Sequence, residues 1–525
     1  MDTCYRSLNT NEHPASPGMF FSADHFNLHG ESLMYGSMRD VLKELPDVGT
    51  SWLRYMNALT RSFNREHTEF LDSYLIASQI ALQAAKDNPM TLRDTFEIMQ
   101  HKSALVGKGM QATNEKMMEF SIDQLKEANE AFFNTLLNNE GENLAGYLKR
   151  EAEVMEAVAN FPEQIEKVKD DFGFHFNTSA YRLIHDSGSF LMYQVLPIKE
   201  GVEVRDDLKP VLLIPPYMLG EHILSFLPYE GKSYAHSFAN EGIPTYVRVV
   251  KDIAQNDIVQ NMTPDDDCTQ TRELCSMLKE KHGKKVTLNG TCQGGYIGLM
   301  NTLSGTLTEV SDTLITNVAP IDGTHSTAIS GMPTMHHDFI TTTLPNGHKV
   351  ANGYMLSLGM RFVAIDRETP LIKVLDQASL HKATDLNPGK TAAALFRWLL
   401  KERVHLPLEI AKMSTNTFQQ PISEDGVLPV KLYDKPLKVG ELKDLGVKWY
   451  QSYAVKDDLV TPDCATAANR FLEGTDVIES VPFPGGHVAI LTSPHNKRSP
   501  VNDYFETKDG KKYRGPVKFQ LDISK

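Results

Sequence analysis

The sequence predicts an α/β protein: a mostly parallel sheet with an inserted segment, preceded by an all-helical N-terminal region. Three observations carry that expectation. Strand signals are almost absent before about residue 175. After it, β-branched or wholly apolar runs alternate with helical segments, the order that builds parallel sheets. Within that half, "VTLNGTCQGGYIGLM" from Val286 to Met300 reads as buried strand, tight turn and helix.

The helical half is assigned to residues 1–175. Phe70, Tyr74, Ala77, Ala81 and Ala84 fall at helical spacing, and Asn88-Pro89 ends that run. Thr91 with Asp94 resembles a capping box opening the next helix. Met118, Ile122, Leu125, Phe132 and Leu136 then keep one face apolar. Residues 143–171 add a charged amphipathic segment. Such a half either packs on the rest as a bundle or arm, or offers a surface to a partner.

The remaining chain, 176–525, is assigned to a catalytic domain. Its expected strands are 190–196, 210–216, 244–250, 286–290, 313–319, 447–455 and 476–483. "PVLLIPP" is continuously apolar, as a strand buried on both faces should be. Thr263-Pro264 followed by three aspartates opens a helix that closes at Gly283. Residues 323–440 interrupt the alternation and read as an inserted cap.

Composition narrows the function. The chain has 525 residues, a net charge of −14, 41% hydrophobic and 23% charged residues. An acidic chain argues against nucleic-acid binding, which needs a basic footprint. Five cysteines without a CxxC pair suggest neither a disulfide framework nor a zinc site. No signal peptide and no membrane span is expected, so the expected location is cytoplasmic. "EGKS" lacks the first glycine of a phosphate loop, and "PDDDC" lacks calcium-loop spacing.

The chemistry concentrates at Gly290-Thr291-Cys292-Gln293-Gly294, a G-x-S-x-G elbow with cysteine for serine. Small residues two before and two after the nucleophile let strand and helix approach closely. A buried cysteine in a glycine-rich turn would carry the same letters. A thiol nucleophile needs a base, and the base an orienting acid. Asp457, after the strand "QSYAV", and His487, in "PFPGGHVAI", supply both in the order used by α/β hydrolases. Asp457 and Asp458 compete for the acid; Asp457-Asp458-Leu459-Val460 fits the acid-x-aliphatic-aliphatic run with Asp457. The oxyanion donors expected are the N–H of Gln293 and that of Tyr217 or Met218 in "PPYMLGEH"; Pro216 has no N–H.

This constellation resembles the polyhydroxyalkanoate synthase family. "VLLIPPYMLGEHILSFLP", "GTCQGGYIGL" with its second glycine Gly295, and "GGHVAILTSPHNKRSPVN" carry the likeness, over roughly residues 180–505. Two features differ: Asp458 stands where the family commonly has histidine, and "RWLLKERVHLP" keeps Trp398 but lacks the family's Asn and Asp. The resemblance implies an α/β-hydrolase core with a cap. It implies polymerisation of 3-hydroxyacyl-CoA into polyester with release of CoA, no cofactor, and association with a polyester granule surface. Cys292 would hold the growing chain as a thioester, His487 would deprotonate the thiol or the incoming hydroxyl, and Asp457 would orient His487. A homodimer or partner contact through the helical region is a further expectation. A thioesterase or polyester hydrolase on the same site, and a non-catalytic granule-associated relative, are the alternatives.

Overall fold

The computed structural model describes residues 38–58, 91–326, 341–354, 388–492 and 510–524, with 36, 356–357, 504–507 and scattered positions between 60 and 75. The helical run expected at 66–87 therefore falls, apart from single positions, outside the described residues, as do His336, His337 and the tail 493–503.

The N-terminal region is helical. Residues 38–58 form α1, Thr91–Leu137 form α2, and Leu144–Ala159 form α3. Helix α2 begins at Thr91, as expected. It turns back into α3 through Asn138 and Gly141, both at positive φ, and the Leu144 N–H donates to Thr135 Oγ1 at 2.7 Å. The buried face of α2 carries Thr113, Phe120 and Ala131. The apolar face read from the sequence is not that one: Met118 and Leu125 are both 64% exposed, and Ile122, Phe132 and Leu136 are exposed too. Helix α4 (Phe161–Lys167) starts with proline in its first turn and buries Phe161 and Ile165. It joins this region to the inserted segment. Phe161 meets Phe396 edge-on at 5.8 Å, and Glu166 pairs with Lys401 at 3.3 Å.

The core is one eight-stranded sheet. In chain order its strands are β1 (Tyr181–Asp186), β2 (Phe190–Val195), β3 (Val211–Ile214), β4 (Thr245–Val250), β5 (Val286–Thr291), β6 (Ser311–Asn317), β11 (Lys448–Ala454) and β12 (Ile478–Phe483). Spatially they run β1-β2-β4-β3-β5-β6-β11-β12. The six from β4 to β12 are parallel; β1 and β2 are antiparallel. Burial explains the sequences: Val211–Ile214 and Val286–Thr291 are buried throughout, because helices cover both faces. Helices α5 (Tyr234–Ala239), α6 (Asp257–Gln260), α7 (Pro264–His282) and α8 (Gln293–Leu303) provide cover. The Thr263–Asp266 capping box opens α7, and left-handed Gly283 closes it. This is the α/β-hydrolase architecture.

Strand β1 and the two hairpins of the inserted segment are not among the expected strands. Strand β1 is an edge with a bulge between Leu183 and His185, and most of its side chains are not buried; charge and irregularity blunt an edge and hide its period. Between β6 and β11 the chain adds a hairpin, β7 (Thr341–Thr343) with β8 (Lys349–Ala351), then α9 (Pro388–Lys401), α10 (Leu408–Gln419) and a hairpin of β9 (Val427–Leu432) with β10 (Lys435–Lys438). The last turns through Tyr433 and Asp434, both at positive φ, where sequence reasoning looks for Asn-Gly. Its Leu428, Leu432 and Leu437 join the main core rather than cover the site.

Inside the sheet lies a charged pair. Arg248 on β4 grips Asp267 on α7 with two bonds, at 3.0 and 2.7 Å, and both are buried. Asn301 and the Tyr217 hydroxyl also donate to Asp267. Burial alone would raise the Asp267 carboxyl, but Arg248 reverses this and holds it below its usual value. A depressed carboxyl contributes stability above its unfolded pKa and loses it only as pH falls through the folded value. Asp267→Ala leaves Arg248 buried without its counter-charge. At pH 7 it should cost about 3–5 kcal/mol, read as a lower urea midpoint; an unchanged midpoint would contradict the pairing.

Candidate active site

Strand β5 runs into α8 through Cys292, at φ 52 and ψ −123. This is a costly backbone for a residue with a side chain. Three glycines make it feasible. A Cβ on Gly290 would lie 2.2 Å from the Gly294 carbonyl oxygen, and one on Gly294 would lie 2.1 Å from the Ile214 oxygen. A Cβ on Gly295 would meet Ala319 at 2.7 Å. The glycines expected from the sequence are therefore steric requirements. The Cys292 N–H donates to Asn317 O of β6 at 2.8 Å, which pins the elbow to the sheet. Beneath it, Asn317 bonds Tyr234, Asn289 and Ser452.

His487 and Asp457 come from the two loops beyond β12 and β11. The loops are stapled by the Lys456 N–H to the Gly485 carbonyl at 3.0 Å. Asp457 is buried and Asp458 exposed, so the structure separates the two candidate acids. Asp457 Oδ1 accepts from the N–H groups of Leu459 and Val460, each at 2.9 Å. Its Oδ2 meets His487 Nδ1 at 2.7 Å. An ionised carboxylate only accepts, so Nδ1 carries the proton and Nε2 is the nitrogen left for the nucleophile. Cys292 lies near enough to act on the charge of His487. Burial would lower the imidazole, but Asp457 and Cys292 outweigh it and hold His487 well above its ordinary value. Asp457 and Cys292 thus both favour the imidazolium over the neutral ring.

The other described cysteines are unlike Cys292. Cys268, Cys275 and Cys464 are buried, and burial pushes the Cys275 thiol up to about 12. Cys4 lies outside the described residues. Among the described residues, no group of three His, Cys, Asp or Glu could hold a metal ion.

The expected oxyanion donors lie beside the elbow. Gln293 is the first residue of α8, where N–H groups have no intrahelical acceptor. The Tyr217 N–H is already engaged: it donates to Gln293 Oε1 at 3.0 Å. Met218 is tied elsewhere through its carbonyl, which accepts from the Val404 N–H at 3.2 Å.

Sequence reasoning missed two groups around the site. Asp267 was read as one of three helix-opening acids, yet it shares a helical face with the buried Thr271, Leu274 and Leu278; that spacing was the available signal. Ser414 of α10 accepts from Gln293 Nε2 at 2.6 Å, and nothing local marks it.

Asp457→Asn tests the electrostatics. His487 should lose its proton at lower pH, because its counter-charge is gone. The pH profile of iodoacetamide alkylation at Cys292 should then move, since the ring beside it changes charge at a different pH. Turnover should fall by about 10²-fold or more, as expected when an orienting carboxylate is neutralised. An unmoved alkylation profile would contradict the pairing.

No protein-family model matches the chain, and no curated protein matches it. Solved structures do. A carboxylesterase of the thaumarchaeon Nitrososphaera gargenis is 16% identical, with 60% of this chain and 93% of that chain covered and a TM-score of 0.36. The carboxylesterase CesB of Bacillus subtilis is 11% identical, with 65% and 94% covered and a TM-score of 0.33. The thioesterase domain from the curacin biosynthetic pathway is 10% identical, with 60% and 95% covered and a TM-score of 0.28. Likeness at this level carries no argument about chemistry. The α/β-hydrolase fold is read from strand order and elbow geometry.

Proposed function

We propose that this protein is an enzyme that takes an acyl group from a thioester or ester onto Cys292 and releases it to an acceptor. The observation that carries this is the Cys292–His487–Asp457 chain at a strained strand-to-helix elbow. His487 Nε2 takes the thiol proton, and the sulfur attacks the acyl carbon. The N–H groups of Gln293 and Tyr217 receive the oxyanion. The intermediate collapses, the leaving thiolate or alkoxide takes the proton from His487, and the acyl group remains on sulfur. His487 then deprotonates the acceptor, which attacks the acyl-enzyme and regenerates the thiol.

Water as acceptor makes the protein a thioesterase or esterase, and the described residues supply every group that reaction needs. A second reading is supported by the sequence's resemblance to polyhydroxyalkanoate synthases: the acceptor is the hydroxyl of another 3-hydroxyacyl unit, the donor is its CoA thioester, and the product is polyester. A cysteine suits this reading, because passing an acyl group from CoA to Cys292 trades one thioester for another and keeps it activated. Incubation with 3-hydroxybutyryl-CoA separates the two. Hydrolysis yields CoA and soluble acid; synthesis yields CoA and an insoluble polymer. Cys292→Ala should abolish CoA release in either case, and CoA release that survives it would sink the proposal.

The helical region supports a homodimer. The exposed Met118, Ile122, Leu125, Asn129, Phe132 and Leu136 of α2 follow a 4-3-4-3-4 spacing. That is a heptad seam, with Ile and Asn where a two-stranded parallel coil favours them. The same face is the candidate contact with a polyester granule. No helix among the described residues is long and apolar enough to cross a membrane. Sedimentation should find two copies of the wild type and one of the Leu125→Lys/Phe132→Lys double variant. A monomeric wild type would contradict the seam.

A further inference from the structure

The Tyr217 N–H, needed for the oxyanion, is occupied in the free protein by a side chain of the protein itself. Gln293 Oε1 accepts from it at 3.0 Å. The other end of the carboxamide donates through Nε2 to Ser414 Oγ at 2.6 Å, and that hydroxyl donates to the Ile410 carbonyl at 3.0 Å. The chain of donors has one consistent direction. An amide nitrogen cannot accept from an N–H, so Oε1 must face Tyr217.

The loop bearing Tyr217 has little room to retreat. The Tyr217 hydroxyl is bonded to buried Asp267. The Met218 carbonyl accepts from the Val404 N–H, and the Leu219 carbonyl accepts from Trp398 Nε1 at 3.1 Å. Gln293, by contrast, is only half-buried.

We propose that the Gln293 carboxamide is a gate: a removable stand-in for the substrate's acyl oxygen, held on the Tyr217 N–H by Ser414 of the inserted segment. The inference rests on the acyl-enzyme reading above. An amide oxygen and a thioester oxygen are both neutral acceptors, so exchanging one for the other gains little in the ground state. The developing oxyanion binds the freed N–H far better than an amide oxygen can. The gate therefore weakens substrate binding and leaves the chemical step alone. It also selects acyl donors whose carbonyl points at Tyr217 when the carboxamide leaves.

The test is the split between kcat and KM, measured with p-nitrophenyl acetate and with 3-hydroxybutyryl-CoA. Gln293→Ala should lower KM about 3- to 10-fold, the net worth of one hydrogen bond, and kcat should stay close to wild type in Ser414→Ala, which touches no reacting atom. Ser414→Ala should move KM the same way by less. Gln293→Glu should raise KM at pH 7, because a carboxylate holds the N–H more tightly. That rise should fade as pH falls towards about 4.3, where glutamate titrates. The urea midpoint of each variant checks that it is folded. A fall in kcat for folded Ser414→Ala, or a KM unmoved in folded Gln293→Ala, would overturn the gate: the first means the held carboxamide helps the chemical step, the second that it is a bystander. Turnover surviving Cys292→Ala would instead sink the acyl-enzyme reading, and the gate with it.

Discussion

The structure depends on how closely β5 and α8 approach each other at the elbow. With the Gly290 and Gly294 positions within about van der Waals contact of backbone, Cys292 is held at positive φ and its thiol stands clear of the sheet. A parallel sheet then brings the loops after β3, β11 and β12 to the same edge. Tyr217 reaches Gln293, and Asp457 reaches His487, because strand direction aims these loops at one edge. The backbone strain at Cys292 is tolerated because the surrounding contacts leave no alternative: Asn317 holds its N–H, and Asn317 is held by three further polar side chains.

The loop after β3, which carries Tyr217, is fixed from two sides. From below, Asp267 holds the Tyr217 hydroxyl inside a buried network with Arg248 and Asn301. Such a network is a weak source of net stability and a strong source of geometric definition, because breaking one member strands a charge. From above, the inserted segment reaches the same loop through Val404, Trp398 and, by way of Gln293, Ser414. The helical region reaches that segment in turn through Phe161 and Glu166 on α4. The three parts of the chain thus converge on one backbone N–H.

Much of this was legible in the sequence where the signal is local. The elbow glycines, the capping box at Thr263, the left-handed Gly283 and the fully apolar strands each encode their own geometry. Asp457 and His487 were legible because chain order and strand ends restrict where such residues can act. What distinguishes Asp457 from Asp458 is burial, which sequence shows only indirectly. Elements whose reasons are tertiary were missed. Strand β1 is an irregular edge, the β9–β10 turn uses Tyr433-Asp434 in place of the usual residues, and Ser414 matters only through what it touches. The α2 face was read correctly as apolar, but apolarity alone did not say that it faces outward.

The central claim is that Cys292 carries the acyl group. The direct measurement is intact-protein mass spectrometry after brief mixing with 3-hydroxybutyryl-CoA and an acid quench, followed by peptide mapping. The account predicts a mass gain of one or more hydroxybutyryl units, hydroxylamine-labile and confined to the peptide that contains Cys292. An adduct on any other residue, or CoA release with no adduct under single-turnover conditions, would contradict it.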